Sequence, residues 1–394
     1  MSTPPYRYIV LGAGKQGTAA AYDLARFGEA ERITLADQDW EAAQRAARRV
    51  NDLTQSQVAV PLQLEVQDRS KLEEALRGHD VALSAVPYFF NLEITRACIA
   101  AGVSLNDMGG HTGVIRQQLA LDAEAKAAGV SIVPDCGMGP GLITHMAAYA
   151  MELLDEPREV FIYDGGLPQH PRPPWNYQMT FHINGLTNEM DGEAYFIRGG
   201  EVVPVETLSD PQVIEFPPLG TLEADVTSGG LSTSPWTFQP VLQTYENRTL
   251  RYPGHFEWLR AFKALGLFSE EPIEVNGQTV IPREVYHALL SPKISADGPV
   301  DDVCVIRVIG RGVKDGAESE VTIDLIDYAD PETGFTAMER LTGWHCAIMM
   351  GFQARGRIPA GGIPMETALP AHEIMDAVAK RGIRFTVKRR GLPG

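Results

Sequence analysis

Cysteine is scarce in this chain. Cys98, Cys136, Cys304 and Cys346 are the four cysteines of 394 residues. None shares a C-x-x-C spacing, which excludes a disulfide framework and a cysteine metal knuckle and leaves four reduced thiols, as in a cytoplasm. Positive charge is also short. Against 51 Asp and Glu stand 34 Lys and Arg, a net charge of −17, so neither nucleic acid nor an anionic membrane surface is an expected partner. No apolar run reaches the roughly 18 residues of a membrane span. The first strand is under way by Tyr8, which leaves no room for a signal peptide. No His, Cys, Asp and Glu grouping has metal-site spacing, so no metal is expected. There is no G-x-S-x-G elbow, no internal repeat and no low-complexity segment.

What remains is an ordinary globular composition, 44% hydrophobic and 22% charged, in a chain long enough for two domains. The organising stretch is Tyr8-Ile9-Val10-Leu11-Gly12-Ala13-Gly14-Lys15-Gln16-Gly17. An apolar run ends in G-x-G-x-x-G and an Ala-rich segment follows, the pattern of strand, tight turn and helix start in a dinucleotide-binding unit. Gly12 permits the turn, Gly14 carries no side chain to block a pyrophosphate, and Gly17 lets helix and strand pack closely. At Lys15, Gln16 and Gly17 the helix would present free N–H groups and its positive dipole end to phosphates. A second apolar run, Arg32–Leu35, ends at Asp37, placed to accept hydrogen bonds from the adenosine ribose and to repel a 2′-phosphate. Gln38, Asp39 and Trp40 follow, with no Arg among them, so the expected cofactor is NAD.

Continuous apolar runs alternating with helical periods extend this pattern to about residue 150 and predict a Rossmann-type, doubly wound parallel sheet. Ligands of such sheets bind outside the C-terminal strand ends. Three exit loops therefore face the cofactor: Val86–Asn91, which brings in Val86 and Pro87, then Asp107–Thr112 and Asp135–Gly141. Beyond Pro157 the pattern changes. Short β-like runs at Glu159–Tyr163, Tyr177–Ile183, Tyr195–Arg198, Val213–Phe216, Val303–Gly310 and Glu320–Tyr328, with a helical stretch at Phe256–Leu267, predict a second α+β domain with a mostly antiparallel sheet. Helical periods at Ala337–Met350 and Pro370–Arg381 are read as returning to the first domain. The expected division is 1–140 with 337–394 for cofactor, and 141–336 for substrate binding and dimerisation.

Several motifs together resemble the saccharopine dehydrogenase family over nearly the whole length. They are Val10–Gly17, Asp107-Met108-Gly109-Gly110-His111, Pro134-Asp135-Cys136-Gly137-Met138-Gly139-Pro140-Gly141, Thr227-Ser228-Gly229-Gly230-Leu231-Ser232-Thr233, Leu250-Arg251-Tyr252-Pro253-Gly254-His255 and Ala337-Met338-Glu339-Arg340-Leu341-Thr342. The stretch from Gly165 through Tyr177 is similar to the bacterial lysine 6-dehydrogenase branch. The resemblance implies NAD-dependent oxidative deamination of the lysine side-chain amine. The product is a 6-semialdehyde that cyclises to piperideine-6-carboxylate as ammonia leaves. It also implies a homo-oligomer. Two alternatives stand beside it: a saccharopine-type reductase or dehydrogenase joining or splitting lysine and a keto acid, and a protein that holds NAD without turnover.

The implied reaction needs a deprotonated amine, an activated water and a clamped carboxylate. His111, Asp107 and Asp135 are the acid/base candidates, all in exit loops. Histidine is the side chain whose ordinary pKa suits such work, with a solvent-facing or capping residue as the alternative for His111; Asp107 is equally placed to cap its own glycine turn, and a helix N-cap is the alternative for Asp135. His145, inside a helix, reads more readily as core. Arg251 is the candidate clamp, with an interdomain ion pair as its alternative, and His255 shares that ambiguity. Tyr177 and Trp175 would wall the aliphatic stem of a substrate, or pack in a core. Thr227 and Ser228 offer hydroxyls to an amino or carboxylate group, or form a plain turn.

Overall fold

The computed structural model describes residues 5–179, 183–295 and 300–392. The chain divides into two compact units. One is built from the chain up to Glu152 with Ser232–Ser234 and Glu339–Arg384; the other from Leu153–Leu231, Pro235–Met338 and the chain from Phe385 on.

The first unit holds a seven-stranded, all-parallel sheet. Its order is Gly361–Gly362, Ser131–Val133, Ser104–Asp107, Val81–Ser84, Tyr6–Leu11, Ala30–Asp37 and Ala59–Gln63. The two strands at its centre are buried almost throughout, as parallel strands covered on both faces must be. Pro61, which cannot donate to a ladder, lies on an edge strand. This is the doubly wound sheet expected from the alternating pattern. The single helix read over Ile115–Ala128 is instead two, Thr112–Leu119 and Asp122–Ala128.

The C-terminal part of this unit is fastened by polar contacts. Asn106 Nδ2 donates to Cys346 O at 3.1 Å, and Gln353 Nε2 donates to Leu105 O and Ser131 O, each at 3.1 Å. Arg381 grips buried Asp23 with two bonds of 2.7 Å. Glu152 caps the helix Ala371–Lys380 by accepting from Ala371 N at 2.6 Å and His372 N at 3.0 Å. The expected helix from Ala337 is interrupted by a π-helical segment, Arg340–Trp344, before His345–Ala354.

The second unit carries a nine-stranded sheet. Its main path is Gln212–Phe216, Gly220–Asp225, Thr244–Arg251, Glu156–Pro168, Asp302–Lys314, Ala317–Tyr328 and Phe385–Gly391, with Glu193–Arg198 and Glu201–Glu206 off the path. Its pairings are antiparallel except Thr244–Arg251 on Glu156–Pro168, which is parallel. The sheet is therefore mixed, though mostly antiparallel. Of the run Tyr177–Ile183 read as a strand, residues 180–182 lie outside the described residues; Tyr177 to Met179 are not in a strand, and Ile183 opens a helix, Ile183–Glu189. An apolar cluster that includes Tyr177, Leu186, Phe256, Leu259 and Tyr286 packs the helices of this unit together.

The π segment brings Gly343 against the first helix, Lys15–Phe27. A Cβ on Gly343 would lie 2.7 Å from Gln16 O and 2.9 Å from Ala20 N, both backbone atoms. Gly343→Ala should therefore destabilise the protein by about 1–3 kcal/mol, the usual cost of overpacking a rigid contact. Urea unfolding of the variant measures this, and a loss within error of zero would show that the two segments slide apart freely.

Candidate functional site

The glycine turn follows from its backbone. Gly12 has φ of +103°, and a Cβ there would meet Ala85 O at 2.6 Å and Val86 Cγ1 at 3.2 Å. Gly17 would drive a Cβ to 2.0 Å from Gly12 O. Both glycines are demanded by the fold. Gly14 is different: nothing lies within 4 Å of its Cβ position, so its bareness serves no packing need. It is exposed, as is Lys15, and Gln16 is half-buried with a buried Oε1 that makes no hydrogen bond. No side chain caps the helix that starts at Lys15, which leaves first-turn N–H groups for an anion. Asp37 ends its strand beside this turn, accepting from Ala13 N and Asp39 N, each at 2.9 Å. Val86 and exposed Pro87 follow the central strand, with Val86 against Gly12. These groups fit a dinucleotide: a turn with no Cβ, free amides and a carboxylate at the ribose position.

The two exit loops carrying the acid/base candidates are woven together. Asp107 is fully buried. Its Oδ1 accepts from Gly109 N at 2.8 Å and Asp135 N at 3.2 Å, and its Oδ2 from Gln118 Nε2 at 2.7 Å. Both oxygens are thus engaged in holding loop structure, the capping alternative for this residue. Asp135 is buried at φ of +68°. Ser232 Oγ donates to its Oδ2, while Oδ1 has no hydrogen-bond partner. Burial, and then the neighbouring Asp107, push its carboxyl well above the usual range. Gly109 leaves room for that carboxylate, since a Cβ there would sit 2.3 Å from Asp135 Oδ1. His111 is exposed and caps the helix Thr112–Leu119, its Nδ1 accepting from Val114 N at 3.3 Å. Its ring stacks on Tyr88 at 5.2 Å.

His145 is in the core rather than facing the exit loops as its helical register allowed, and it has a partner invisible in sequence. Its Nδ1 lies 2.8 Å from His345 Nε2, and His345 Nδ1 lies 2.7 Å from Cys136 O. A carbonyl only accepts, so His345 donates through Nδ1 and receives at Nε2 from His145. Burial holds both rings neutral, His345 down to about 4 and His145 well below its ordinary value. All four cysteines are free and buried, and among the described residues no group of three or more His, Cys, Asp and Glu is arranged to hold a metal.

In the second unit the structure brings Tyr177, Arg251 and His255 together. The Arg251 guanidinium lies over the Tyr177 ring at 5.3 Å, and the His255 ring is 4.9 Å from Tyr177 and 4.6 Å from Trp258. All three are buried. Arg251 donates from NH1 to Leu250 O at 2.9 Å and faces Glu189 Oε2 from NH2 at 3.6 Å. Its Nε makes no well-formed hydrogen bond, and neither do Tyr177 Oη, Glu189 Oε2 or the two ring nitrogens of His255. Burial, with Arg251 nearby, keeps His255 well below its usual pKa and therefore neutral. Burial also raises Tyr177. Ser228 adjoins this cluster through its N–H, which donates to Glu189 O at 2.8 Å, and its Oγ, which donates to Asn188 O at 2.6 Å. Thr227 pairs its hydroxyl with Thr249 at 2.7 Å, in the core.

Two acids of this cluster escape a reading of the sequence. Glu189 ends the helix Ile183–Glu189, and Asp164 lies within the strand Glu156–Pro168. Burial pushes Glu189 up to about 7, Arg251 opposing and Asp164 adding to the shift; burial likewise pushes Asp164 to about 6 against Asn247 and Arg251. The one local signal is an Asp inside the otherwise apolar strand run Val160–Leu167. Glu189 sits in a stretch with no motif.

Residues 8–133 match the Saccharopine dehydrogenase NADP binding domain and residues 137–383 the Saccharopine dehydrogenase C-terminal domain. The chain belongs to the saccharopine dehydrogenase family, and its first unit is the NAD(P)-binding domain of that family. It is 25% identical over 279 residues to the mitochondrial alpha-aminoadipic semialdehyde synthase of Mus musculus, covering 67% of this chain but 29% of that protein. It is 24% identical over 440 residues to saccharopine dehydrogenase [NADP(+), L-glutamate-forming] of Pyricularia oryzae, covering 91% of this chain and 93% of that one. The fold matches that of saccharopine dehydrogenase (L-Glu forming) from Saccharomyces cerevisiae with a TM-score of 0.78, 18% identity, and coverage of 98% and 100% of the two chains.

The neutral histidine pair has a measurable consequence. His345 is held at about 4 against an ordinary 6.5. Between those values the unfolded chain binds more protons than the folded one, so the pair removes stability as pH falls from about 6.5 toward 4. The buried carboxyls, pushed upward, act with the opposite sign over the same window. A difference experiment isolates the pair: His345→Gln should lose less stability than the parent between about pH 7 and pH 4.5. Parallel stability curves from urea unfolding would mean that the pair does not titrate in this window.

Proposed function

We propose that this protein is an NAD-dependent dehydrogenase that oxidatively deaminates the side-chain amine of L-lysine. The observation carrying the substrate half is Arg251: a buried guanidinium, its Nε without a well-formed hydrogen bond, over the Tyr177 ring and near a neutral His255. A planar guanidinium with its donors only partly spent, on Leu250 O and toward Glu189, suits a substrate carboxylate.

The chemistry follows from the charge states. Lysine's side-chain ammonium must first lose a proton, because only the free amine has a lone pair to expel hydride from its carbon. Bound NAD supplies the acceptor for that hydride. The chain leaves as an iminium, water adds to its carbon, and ammonia departs to give the aldehyde. We assign the proton transfers to His111. Of the three loop candidates it alone is exposed, so it can exchange protons with solvent, whereas Asp107 is engaged through both oxygens and Asp135 is buried. The deciding assay incubates protein, NAD and lysine. NADH with equimolar ammonia supports this reading. NADH formed only from saccharopine supports the alternative suggested by the named relatives, and neither product, with NAD bound, supports a holding protein.

Cofactor choice is assigned to Asp37. Arg45 on the next helix, a possible phosphate partner, is engaged with Asp39 at 3.5 Å and Glu41 at 3.4 Å, which favours NAD over NADP. Asp37→Ala should narrow the NAD-over-NADP ratio of kcat/KM by roughly tenfold or more, the scale of losing charge-assisted hydrogen bonds worth about 1.5–3 kcal/mol. The ratio is the readout, since Asp37 also holds Ala13 N and its loss would weaken both cofactors. An unchanged ratio would remove the ribose assignment.

Arg251→Ala should raise KM for lysine by roughly tenfold to a hundredfold, the scale of losing a hydrogen bond to a charged group, about 1.5–3 kcal/mol. The lysine-to-cadaverine ratio of kcat/KM should fall with it, because cadaverine has no carboxylate to lose. Equal loss on both substrates would make Arg251 structural.

A further inference from the structure

The carboxylates around Arg251 outnumber it. Glu189 Oε2 lies 3.6 Å from its guanidinium, and Asp164 is close enough to act electrostatically on both. Asp164 is engaged by Asn247 Nδ2 at 2.7 Å, whereas Glu189 Oε2 makes no hydrogen bond. A third of the Glu189 side chain is exposed although that oxygen is buried. One guanidinium and two acids leave a local negative charge once both acids ionise, and His255, held neutral, does not compensate it. Burial raises both acids, Glu189 to about 7 and Asp164 to about 6, and a cation seated beside Glu189 would favour its ionised form.

We propose that Glu189 binds the α-ammonium group of the substrate and so restricts the site to α-amino acids bearing a second amine. This rests on the reading that Arg251 takes the carboxylate. An α-amino acid carries its two charged groups on one carbon. A carboxylate seated on Arg251 therefore puts its α-ammonium beside the acid that already faces that guanidinium, while the reacting amine lies at the far end of the chain. The ammonium donates to Glu189 Oε2 while the carboxylate takes Arg251, so each charge of the substrate meets its opposite. The site is then complementary to a zwitterion, and an ω-amino acid or a diamine satisfies only half of it. A buried polar group left unpaired is what makes such discrimination large.

The test is calorimetric binding to the full chain with NADH present, so that lysine binds without being oxidised. The ligands are L-lysine, 6-aminohexanoate, which lacks the α-amine, and saccharopine. The parent should bind lysine more tightly than 6-aminohexanoate. Glu189→Gln, close in shape, should lower lysine affinity by roughly tenfold to a hundredfold, as for a lost hydrogen bond to a charged group, and bring the two affinities toward equality. Glu189→Asp, which keeps the charge, should recover part of the preference, and unchanged melting would show both variants folded. If the parent binds lysine and the Gln variant loses lysine and 6-aminohexanoate equally, Glu189 only steadies Arg251 and the proposal is overturned while the lysine reading stands. If the parent binds saccharopine but neither smaller ligand, the lysine reading falls and this proposal with it.

Discussion

One constraint underlies the nucleotide unit: its first helix is approached by backbone from two sides. From one side the turn comes so near that a Cβ at Gly17 would overlap Gly12 O, at 2.0 Å; from the other the π segment comes so near that a Cβ at Gly343 would press on Gln16 O, at 2.7 Å. Close-packed interiors do not absorb such overlaps. The position of the helix N-terminus relative to the strand ends is therefore fixed without any side chain filling the gap. That arrangement keeps the first-turn amides, Asp37 and Val86 around one open turn. The π segment has a physical part in this, because the widened turn is where the later helix meets the first one most closely.

The second unit is organised by the opposite principle. Its buried polar cluster is incomplete. A buried donor or acceptor without a hydrogen bond costs about 1–3 kcal/mol, and Tyr177 Oη, Arg251 Nε, Glu189 Oε2 and the His255 ring nitrogens make no well-formed one. A fold carries such costs most readily where a ligand completes the bonds. The neutral state of His255 fits the same logic: beside Arg251, and buried, a second cation there would be expensive.

How much of this was legible in the sequence depends on the range of the interaction. The central strands declare themselves through unbroken apolar runs, and the glycine turn through Gly12 and Gly17, whose roles are local. The strand Thr244–Arg251 does not, because it carries Glu246, Asn247 and Arg248 between its apolar positions, and its stability comes from pairing with two neighbouring strands. The run at Tyr177 suits a strand by propensity, yet Tyr177, Met179 and Ile183 pack there among helices. Asp107 was legible only as a choice between cap and base, and the neighbours that place it in the turn, Gly109, Gln118 and Asp135, include residues 11 and 28 positions away. Glu189 was not legible at all: its meaning lies in facing Arg251, 62 residues later in the chain (251 − 189). The His145–His345 pair spans 200 residues and left no trace in either helical pattern.

The charges around Arg251 bear on which amine chemistry suits this family member. Joining lysine to a keto acid adds carboxylates to the substrate, and each added carboxylate needs a cationic partner or well-placed amides. Among the described residues of the second unit, the acids acting on this cluster are Glu189 and Asp164, and Arg251 is its cation. Adding negative charge to that set runs against its electrostatics, whereas adding an ammonium runs with it. Family membership alone does not separate these substrates, since the fold and the glycine turn serve any of them. What bears on the proposed substrate is that one guanidinium faces two acids here, an arrangement with room for one substrate carboxylate and an ammonium rather than for several carboxylates.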